Sequence, residues 1–282
     1  MVLTHFYTLI KPKIISMSLI AATCGMLLGG GLGFSGACLA LLGIGFTVAS
    51  ACSLNMVIEA KTDALMKRTR LRPVASGELG RLSASLFGCS CGLLGLFILW
   101  KINPLTAGLG FLSLCLYTLV YTPMKKHSPW AWLVGTIPGA MPPLMGWTAT
   151  GQEPAGSGLA LFFLIITWQI PHVLAIFIYL EDEYQQAGIL NPIHIFSRRK
   201  LIQLMTLFTM LLFPMSLIPF LLGEAGLLYA VFAPILGLCM AAQVLQGFWL
   251  KSLELWAMRV KRGSLVYMSL LLTSILADGV LG

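Results

Sequence analysis

The sequence predicts an all-α protein that crosses a membrane several times, and three observations carry this prediction. Of the 282 residues, 58% are hydrophobic and only 10% are charged, whereas soluble domains carry about 25% charged residues. The mean hydropathy is +0.89. A membrane-spanning helix needs about 20 mostly apolar residues, and nine segments of about that length follow one another. We therefore expect residues 1–282 to form a single polytopic integral membrane domain.

The nine predicted transmembrane helices are separated by short joints on the predicted external side and by longer loops on the other side. They cover residues 14–32, 35–56, 83–100, 104–123, 130–149, 158–179, 201–222, 227–248 and 263–281. The first is too long for a cleaved signal peptide, and no small-residue cleavage pattern follows it. The fifth contains Pro138, Pro142 and Pro143, which must disturb regular helix bonding because proline has no N–H group. In a membrane such backbone is tolerated where it is buried in protein or lines a cavity, so we expect this span to border a pocket.

The positions of the cations predict the orientation of the chain. With the N-terminus in the cytoplasm, 17 of the 18 Lys and Arg residues lie in inside loops, and only Lys101 lies outside. Inside loops of membrane proteins carry an excess of Lys and Arg. We therefore predict an N-in/C-out topology with the active site at the cytoplasmic side of a bacterial or archaeal inner membrane. The expected surroundings are the lipid bilayer, with no nucleic-acid partner.

The first candidate site lies where the second span leaves the membrane. Asn55, Glu59 and Asp63 are four residues apart, so on a helix they share one face. Amide and carboxylate oxygens suit Mg²⁺, which completes its shell with water and substrate phosphate. The cations that follow directly are Lys67, Arg68, Arg70 and Arg72. Because guanidinium groups match phosphate oxygens, the pattern predicts a Mg²⁺–diphosphate site; a basic loop that binds anionic lipid headgroups is the alternative.

Two further stretches add chemistry at the same predicted side. Glu181, Asp182 and Glu183 follow the sixth span and suggest a second carboxylate group facing the first across one pocket, or else a solvated acidic turn. His172 lies inside that span, where an ionisable side chain usually faces a cavity; a histidine bonded to a neighbouring helix is the alternative. Lys125, beside Lys126, adds positive charge after the fourth span.

These stretches together resemble the UbiA-type intramembrane prenyltransferases. The motif N-x-x-x-E-x-x-x-D at 55–63 is typical of the family as a whole. P-G-A-x-P-P-L-x-G-W at 138–147 and W-Q-x-P-H at 168–172 are characteristic of its haem-farnesylating branch. One departure concerns Lys61, which stands where that branch commonly has an aspartate.

The resemblance implies Mg²⁺-dependent transfer of the farnesyl group of farnesyl diphosphate to a vinyl group of haem b, with addition of water, giving haem O and diphosphate. It implies nine helices of the UbiA type, and a catalytic and metal-binding set of Asn55, Glu59, Asp63 and Asp182. The implied substrate-binding residues are Lys67, Arg68, Arg70, Arg72, Tyr121, Lys125, Lys126, His172, Glu183 and Tyr184. The implied partner is a downstream haem-modifying enzyme or a terminal oxidase assembly.

Other functions share some of these features. A sister prenyltransferase for a quinone precursor or a chlorophyll-type ring would have the same diphosphate site, but the 138–147 and 168–172 stretches argue against it. An organic-anion transporter could use the cations as a vestibule, yet it would need access from both faces, and the external loops carry few charges. A structural scaffold would have little use for acids at i, i+4 and i+8 beside a basic cluster.

Overall fold

The computed structural model describes residues 2–281, and within that range the regular structure is entirely helical. The α-helices are α1 (Val2–Leu9), α2 (Pro12–Leu28), α3 (Phe34–Asp63), α4 (Arg81–Ile102), α5 (Pro104–Cys115), α6 (Thr122–Met124), α7 (Ala131–Ala149), α8 (Gly156–Tyr179), α9 (Glu181–Gln186), α10 (Arg198–Leu221), α11 (Leu227–Leu245) and α12 (Leu253–Leu281). A π-helical segment, Leu116–Tyr121, joins α5 to α6. Short 3₁₀ turns follow α9 and α11.

Among the described residues, seven helices are long and apolar enough to cross a membrane, with α5 to α6 counted as one. The pair α1 and α2 passes the same test only together, as two helices bent by 51°. The proline-containing α7 has 19 residues and is not among the seven. The predicted multi-pass, all-helical architecture is confirmed, whereas the count of nine spans and the N-in/C-out orientation stay predictions.

The outer surface of the bundle is apolar, as expected for contact with lipid. Large apolar side chains such as Leu93, Phe111, Leu119 and Leu238 are well exposed on separate helices or on the π segment. Exposed apolar surface on this scale marks a membrane-facing region. Within the bundle, α8 packs against α7, α10 and α12, and α3 packs along α4.

Some helices extend beyond the apolar segments that predicted them. The helix α3 runs past residue 56 to Asp63, and α12 begins at Leu253 rather than at 263. Helical hydrogen bonding continues after the chain leaves an apolar layer, so hydrophobicity alone does not mark these ends. As a result Asn55 and Glu59 lie with Asp63 on one unbroken helix.

The prolines of α7 do not interrupt the helix. It is continuous across Pro138, Pro142 and Pro143. Pro142 cannot donate to the Pro138 carbonyl, and that oxygen accepts a hydrogen bond from Ser113 Oγ on α5 at 3.4 Å. The predicted disturbance therefore removes single backbone hydrogen bonds without ending the helix, and at the Pro138 carbonyl a neighbouring helix supplies a replacement donor.

The helices α2 and α7 are in backbone contact through two glycines. A Cβ atom at Gly25 would overlap the carbonyl oxygen of Pro143, and one at Gly146 would overlap that of Ala22. Small residues allow this close approach between membrane helices. The contact fixes α2, and Lys11 at its start, against α7.

We expect Gly25→Ala to lower the unfolding temperature measured in detergent by several degrees. The added methyl group meets backbone rather than a mobile side chain, and overpacking of this kind costs about 1–3 kcal/mol. The matched control is Gly108→Ala on α5, where a Cβ meets no atom within 4 Å. A Gly25→Ala protein as stable as Gly108→Ala would contradict the packing described.

Candidate active site

A cavity of about 110 Å³ lies at one end of the bundle, where α3 and α8 end and α2 and α7 begin. It brings together eight of the fourteen site residues predicted from the sequence. These are Asn55, Glu59, Asp63, Arg68, Arg72, Tyr121, Lys125 and Tyr184. We call it the polar cavity. With Lys11 its lining holds four cations and two carboxylates, so the polar cavity favours an anionic ligand.

The oxygen-bearing side chains of α3 each contact a different cation. Their spacing of four residues places them in a row, as predicted. The three pairs are Lys11 Nζ to Asn55 Oδ1 at 2.8 Å, Lys125 Nζ to Glu59 Oε1 at 2.7 Å, and Arg72 Nη1 to Asp63 Oδ2 at 2.7 Å. Two of the pairs are salt bridges with largely buried carboxylates. We call Asn55, Glu59 and Asp63 the oxygen row; each of its side chains is in direct contact with one of the three cations.

The amide of Asn55 is oriented by Thr122, the first residue of α6, which is bonded in turn to the π segment. Asn55 Nδ2 donates to Thr122 Oγ1 at 3.1 Å, and that hydroxyl donates to the Tyr117 carbonyl at 2.7 Å. These bonds leave Oδ1 directed at Lys11. π-helical turns occur often at functional sites, and this one carries both Tyr117 and Tyr121 on the cavity wall.

The loop after α3 returns Arg72 to the end of the helix that precedes it. Thr69 Oγ1 donates to the Asp63 carbonyl at 2.9 Å, and the Arg72 amide donates to the Thr69 carbonyl at 2.9 Å. The side chain of Asp63 is only 6% exposed, so water screens its contact with Arg72 weakly. Local turns therefore bring Arg72 back to Asp63. The basic run in the sequence predicted a cation near this site, but it did not predict which carboxylate the cation would contact.

Lys125 is held as a cation by its neighbours. Its Nζ lies 2.7 Å from Glu59 Oε1 and 4.3 Å from the centroid of the Tyr121 ring, which favours a positive charge. Burial alone would lower the pKa of Lys125, but Tyr121 and Glu59 raise this pKa above its ordinary value. The lysine therefore remains charged and available to an anion at neutral pH.

Asp182 lies apart from the other three residues predicted to bind metal. It is exposed on α9 and lines a second cavity, of about 520 Å³, together with Lys67 and Glu183. Tyr184 lines the polar cavity instead, because residues two apart on a helix point to nearly opposite sides. Glu183 Oε2 accepts a hydrogen bond from the Arg68 amide at 3.3 Å and so links the two regions. Asp182 as a metal ligand stays a prediction.

Three other predicted site residues also lie outside the polar cavity. Arg70 is exposed, and Lys126 is exposed beside another cavity, of about 190 Å³, which Lys125 also lines. The His172 ring stacks on Trp168, with 5.0 Å between centroids, and its Nδ1 lies 2.7 Å from Ser264 Oγ on α12. His172 therefore contacts a neighbouring helix, as expected for the alternative in which this histidine has a structural role.

Lys61 is exposed and does not line the polar cavity. Its two neighbours in the oxygen row, Glu59 and Asp63, both face the cavity. Position 61 points away from the cavity, so the presence of lysine instead of aspartate there does not reduce the number of oxygen ligands in the cavity.

Sequence reasoning missed four polar residues of the cavity wall: Lys11, Thr62, Tyr117 and Trp132. Trp132 had the pattern of a tryptophan at the membrane interface, and Tyr117 lies in an ordinary-looking apolar segment. Within the described part of the chain, buried Thr62 Oγ1 and Trp132 Nε1 have no hydrogen-bond partner. Buried polar groups are normally satisfied, so both are unused donors beside a cation-rich cavity.

The donor set fits a hard divalent cation that shares its ligands with phosphate. Asn55, Glu59 and Asp63 supply one amide and two carboxylates, and Mg²⁺ usually takes one or two carboxylates plus substrate phosphate. No cluster of three or more His, Cys, Asp or Glu residues suited to a metal occurs in residues 2–281. The protein alone therefore offers an incomplete shell, which suits a metal that arrives with a diphosphate.

A separate apolar cavity lies beside the polar cavity. It measures about 70 Å³ and shares Tyr117 with the polar cavity; Pro138, Pro142 and Met145 of α7 line its wall. The expectation that the proline-containing span borders a pocket is met. Pockets for small molecules usually begin near 300 Å³, so a long ligand would have to displace side chains, and flexible Met145 suits that role.

The fold and the cavity are those of a membrane-embedded enzyme that handles an anionic substrate. Residues 18–270 match the model of the UbiA prenyltransferase family, and the chain belongs to this family. The resemblance drawn from the motifs is thereby confirmed.

The helices of this protein also superpose on solved structures of low sequence identity. One is a digeranylgeranylglyceryl phosphate synthase, which is 17% identical, with a TM-score of 0.81 over 99% of this chain and 98% of that chain. Another is a UbiA homologue from Archaeoglobus fulgidus bound to GPP and Mg²⁺, which is 18% identical, with a TM-score of 0.62 over 96% of this chain and 99% of that chain.

Relatives with much higher identity carry one name. The protoheme IX farnesyltransferase of Anaeromyxobacter dehalogenans is 40% identical over 94% of this chain and 90% of its own length. That of Myxococcus xanthus is 37% identical over 99% of this chain and 96% of its own length. These are relatives of the haem branch, to which the 138–147 and 168–172 motifs pointed.

Proposed function

We propose that this protein is a protohaem IX farnesyltransferase. It transfers the farnesyl group of farnesyl diphosphate to a vinyl group of haem b, adds water to the same group, and releases haem O and diphosphate. The observation that carries the proposal is the oxygen row, in which three oxygen-bearing side chains contact three cations at the polar cavity. The names of the relatives with nearly full-length similarity supply the acceptor.

The diphosphate binds at the polar cavity. Asn55, Glu59 and Asp63 would hold Mg²⁺, which when bound neutralises charge on the departing diphosphate. Arg68 and Arg72 present guanidinium groups that match phosphate oxygens. Preorganised cations at the point where negative charge develops favour cleavage of the carbon–oxygen bond.

Lys125 adds a further positive charge to the wall of the same cavity. With Glu59 holding Mg²⁺, the Lys125 ammonium would no longer be paired with that carboxylate and would be free to donate to a diphosphate oxygen. Arg72, which is paired with Asp63, would become free in the same way. The two salt bridges thus hold the cations within reach of the substrate.

The prenyl chain follows the apolar cavity beneath Tyr117. A dry environment protects the electron-poor allylic carbon from premature attack by water. Haem b is also largely apolar and reaches the cavity from the bilayer. His172 as a contact to haem, Asp182 as an additional metal ligand, and a cytoplasmic site in an inner membrane belong to this proposal.

The test is expression of the full chain in bacteria that lack their own haem O synthase. Extracted haems are separated by chromatography and identified by mass. We expect haem O to accumulate in the cells that express the protein and not in cells with empty vector. Absence of haem O together with a newly prenylated quinone precursor would favour the sister prenyltransferase.

A further inference from the structure

We propose that Lys11 binds the diphosphate of the substrate directly. This inference rests on the proposed function and adds a binding residue to it. Lys11 lies in the joint between α1 and α2, far from the acidic and basic motifs in sequence. Its side chain nevertheless lines the polar cavity, with Nζ 2.8 Å from Asn55 Oδ1.

The charge of Lys11 lacks a counter-charge in its closest contact. Lys125 and Arg72 each contact a carboxylate, whereas the hydrogen-bond acceptor of Lys11 is the neutral amide oxygen of Asn55. A partly buried ammonium group without an anion is unfavourable. An anionic ligand in the cavity would supply the missing partner. Of the three cations that contact the oxygen row, Lys11 is therefore the one that can turn to a phosphate oxygen without breaking a salt bridge.

The backbone at Lys11 adopts a strained, left-handed conformation. Lys11 has φ +50°, and among the described residues it is the one non-glycine position with positive φ. Glycine adopts this conformation without cost, whereas other residues rarely do. The αR conformation is disfavoured before Pro12, and the Lys11 carbonyl accepts from the Ile14 amide at 2.8 Å. Strained residues cluster at catalytic and ligand-binding sites, which agrees with the position of Lys11 on the wall of the polar cavity.

Two unused donors lie on other walls of the same cavity. Thr62 Oγ1 on α3 and Trp132 Nε1 on α7 are buried without a hydrogen-bond partner within the described residues. Together with Lys11 they provide donors from three separate elements. A diphosphate has enough oxygen atoms to accept a hydrogen bond from each of the three.

The test measures binding of inorganic diphosphate with Mg²⁺ to the purified full chain by calorimetry. We expect Lys11→Met to weaken binding by roughly tenfold or more, since hydrogen bonds to charged groups are strong. Lys13→Met is the matched control: it removes the same charge two residues away, from an exposed side chain outside the cavity. Its affinity should equal that of the wild type.

Lys11→Gly separates binding from folding. Because glycine tolerates φ +50°, this variant should unfold at the wild-type temperature or above, yet bind diphosphate as weakly as Lys11→Met. If both Lys11 variants bind like the wild type while Arg72→Met binds weakly, the role of Lys11 is refuted and the proposed function stands. If the wild type itself neither binds diphosphate nor makes haem O, the proposed function is refuted and this inference with it.

Discussion

Replacing Asp63 with asparagine should abolish haem O formation while the protein still folds in the membrane. Asparagine has the same shape and can still accept the hydrogen bond that Arg72 Nη1 gives at 2.7 Å. Asparagine cannot supply the negative charge, and the oxygen row is left with one carboxylate, that of Glu59, instead of two. We expect turnover to fall by about 10²-fold or more, the scale on which loss of one electrostatic contact to a transition state acts. Haem chromatography of complemented cells measures the effect.

The matched control for Asp63→Asn is Glu78→Gln. Glu78 lies in the loop after the same helix and is exposed, 3.5 Å from His5 Nδ1, and its loss should leave haem O at the wild-type level. Unfolding temperatures in detergent show whether both variants are folded. Wild-type turnover in a folded Asp63→Asn protein would remove the metal assignment from this cavity and the mechanism with it.

The oxygen row could be predicted from the sequence because it depends only on residues close together in the chain. Asn55, Glu59 and Asp63 share one helix, so their spacing alone places them on one face. The long apolar segments likewise predicted the bundle, since the membrane requires a length of helix rather than a particular neighbour. Both predictions needed no knowledge of how the helices pack.

Contacts between distant segments could not be derived in the same way. Lys11 reaches Asn55 through a left-handed joint between helices. Trp132 reaches the cavity because α7 is held against α2 by glycine contacts. Asp182 and Tyr184 were predicted to act together, yet they line different cavities because their short helix separates their directions. Each outcome depends on tertiary packing that a single sequence does not express.

The second large effect concerns the salt bridge between Glu59 and Lys125. Lys125→Met should reduce haem O formation by about 10²-fold, because the cavity loses a cation held within reach of the diphosphate. Lys126→Met should have a much smaller effect, since Lys126 is exposed outside the polar cavity. The sequence assigned both lysines to diphosphate binding, and the structure separates them. Equal losses in the two variants would contradict this separation.

A double-mutant cycle distinguishes binding from scaffolding at this pair. Glu59→Gln and Lys125→Met should each lower the free energy of unfolding, because each leaves a largely buried charge without its partner. The double variant Glu59→Gln/Lys125→Met removes both charges, so it should be more stable than the sum of the single losses implies. Its turnover should stay as low as that of the worse single variant, because the metal ligand and the phosphate cation are both gone. Recovery of turnover together with stability would mean that the pair serves only to hold the helices, and that the diphosphate binds elsewhere.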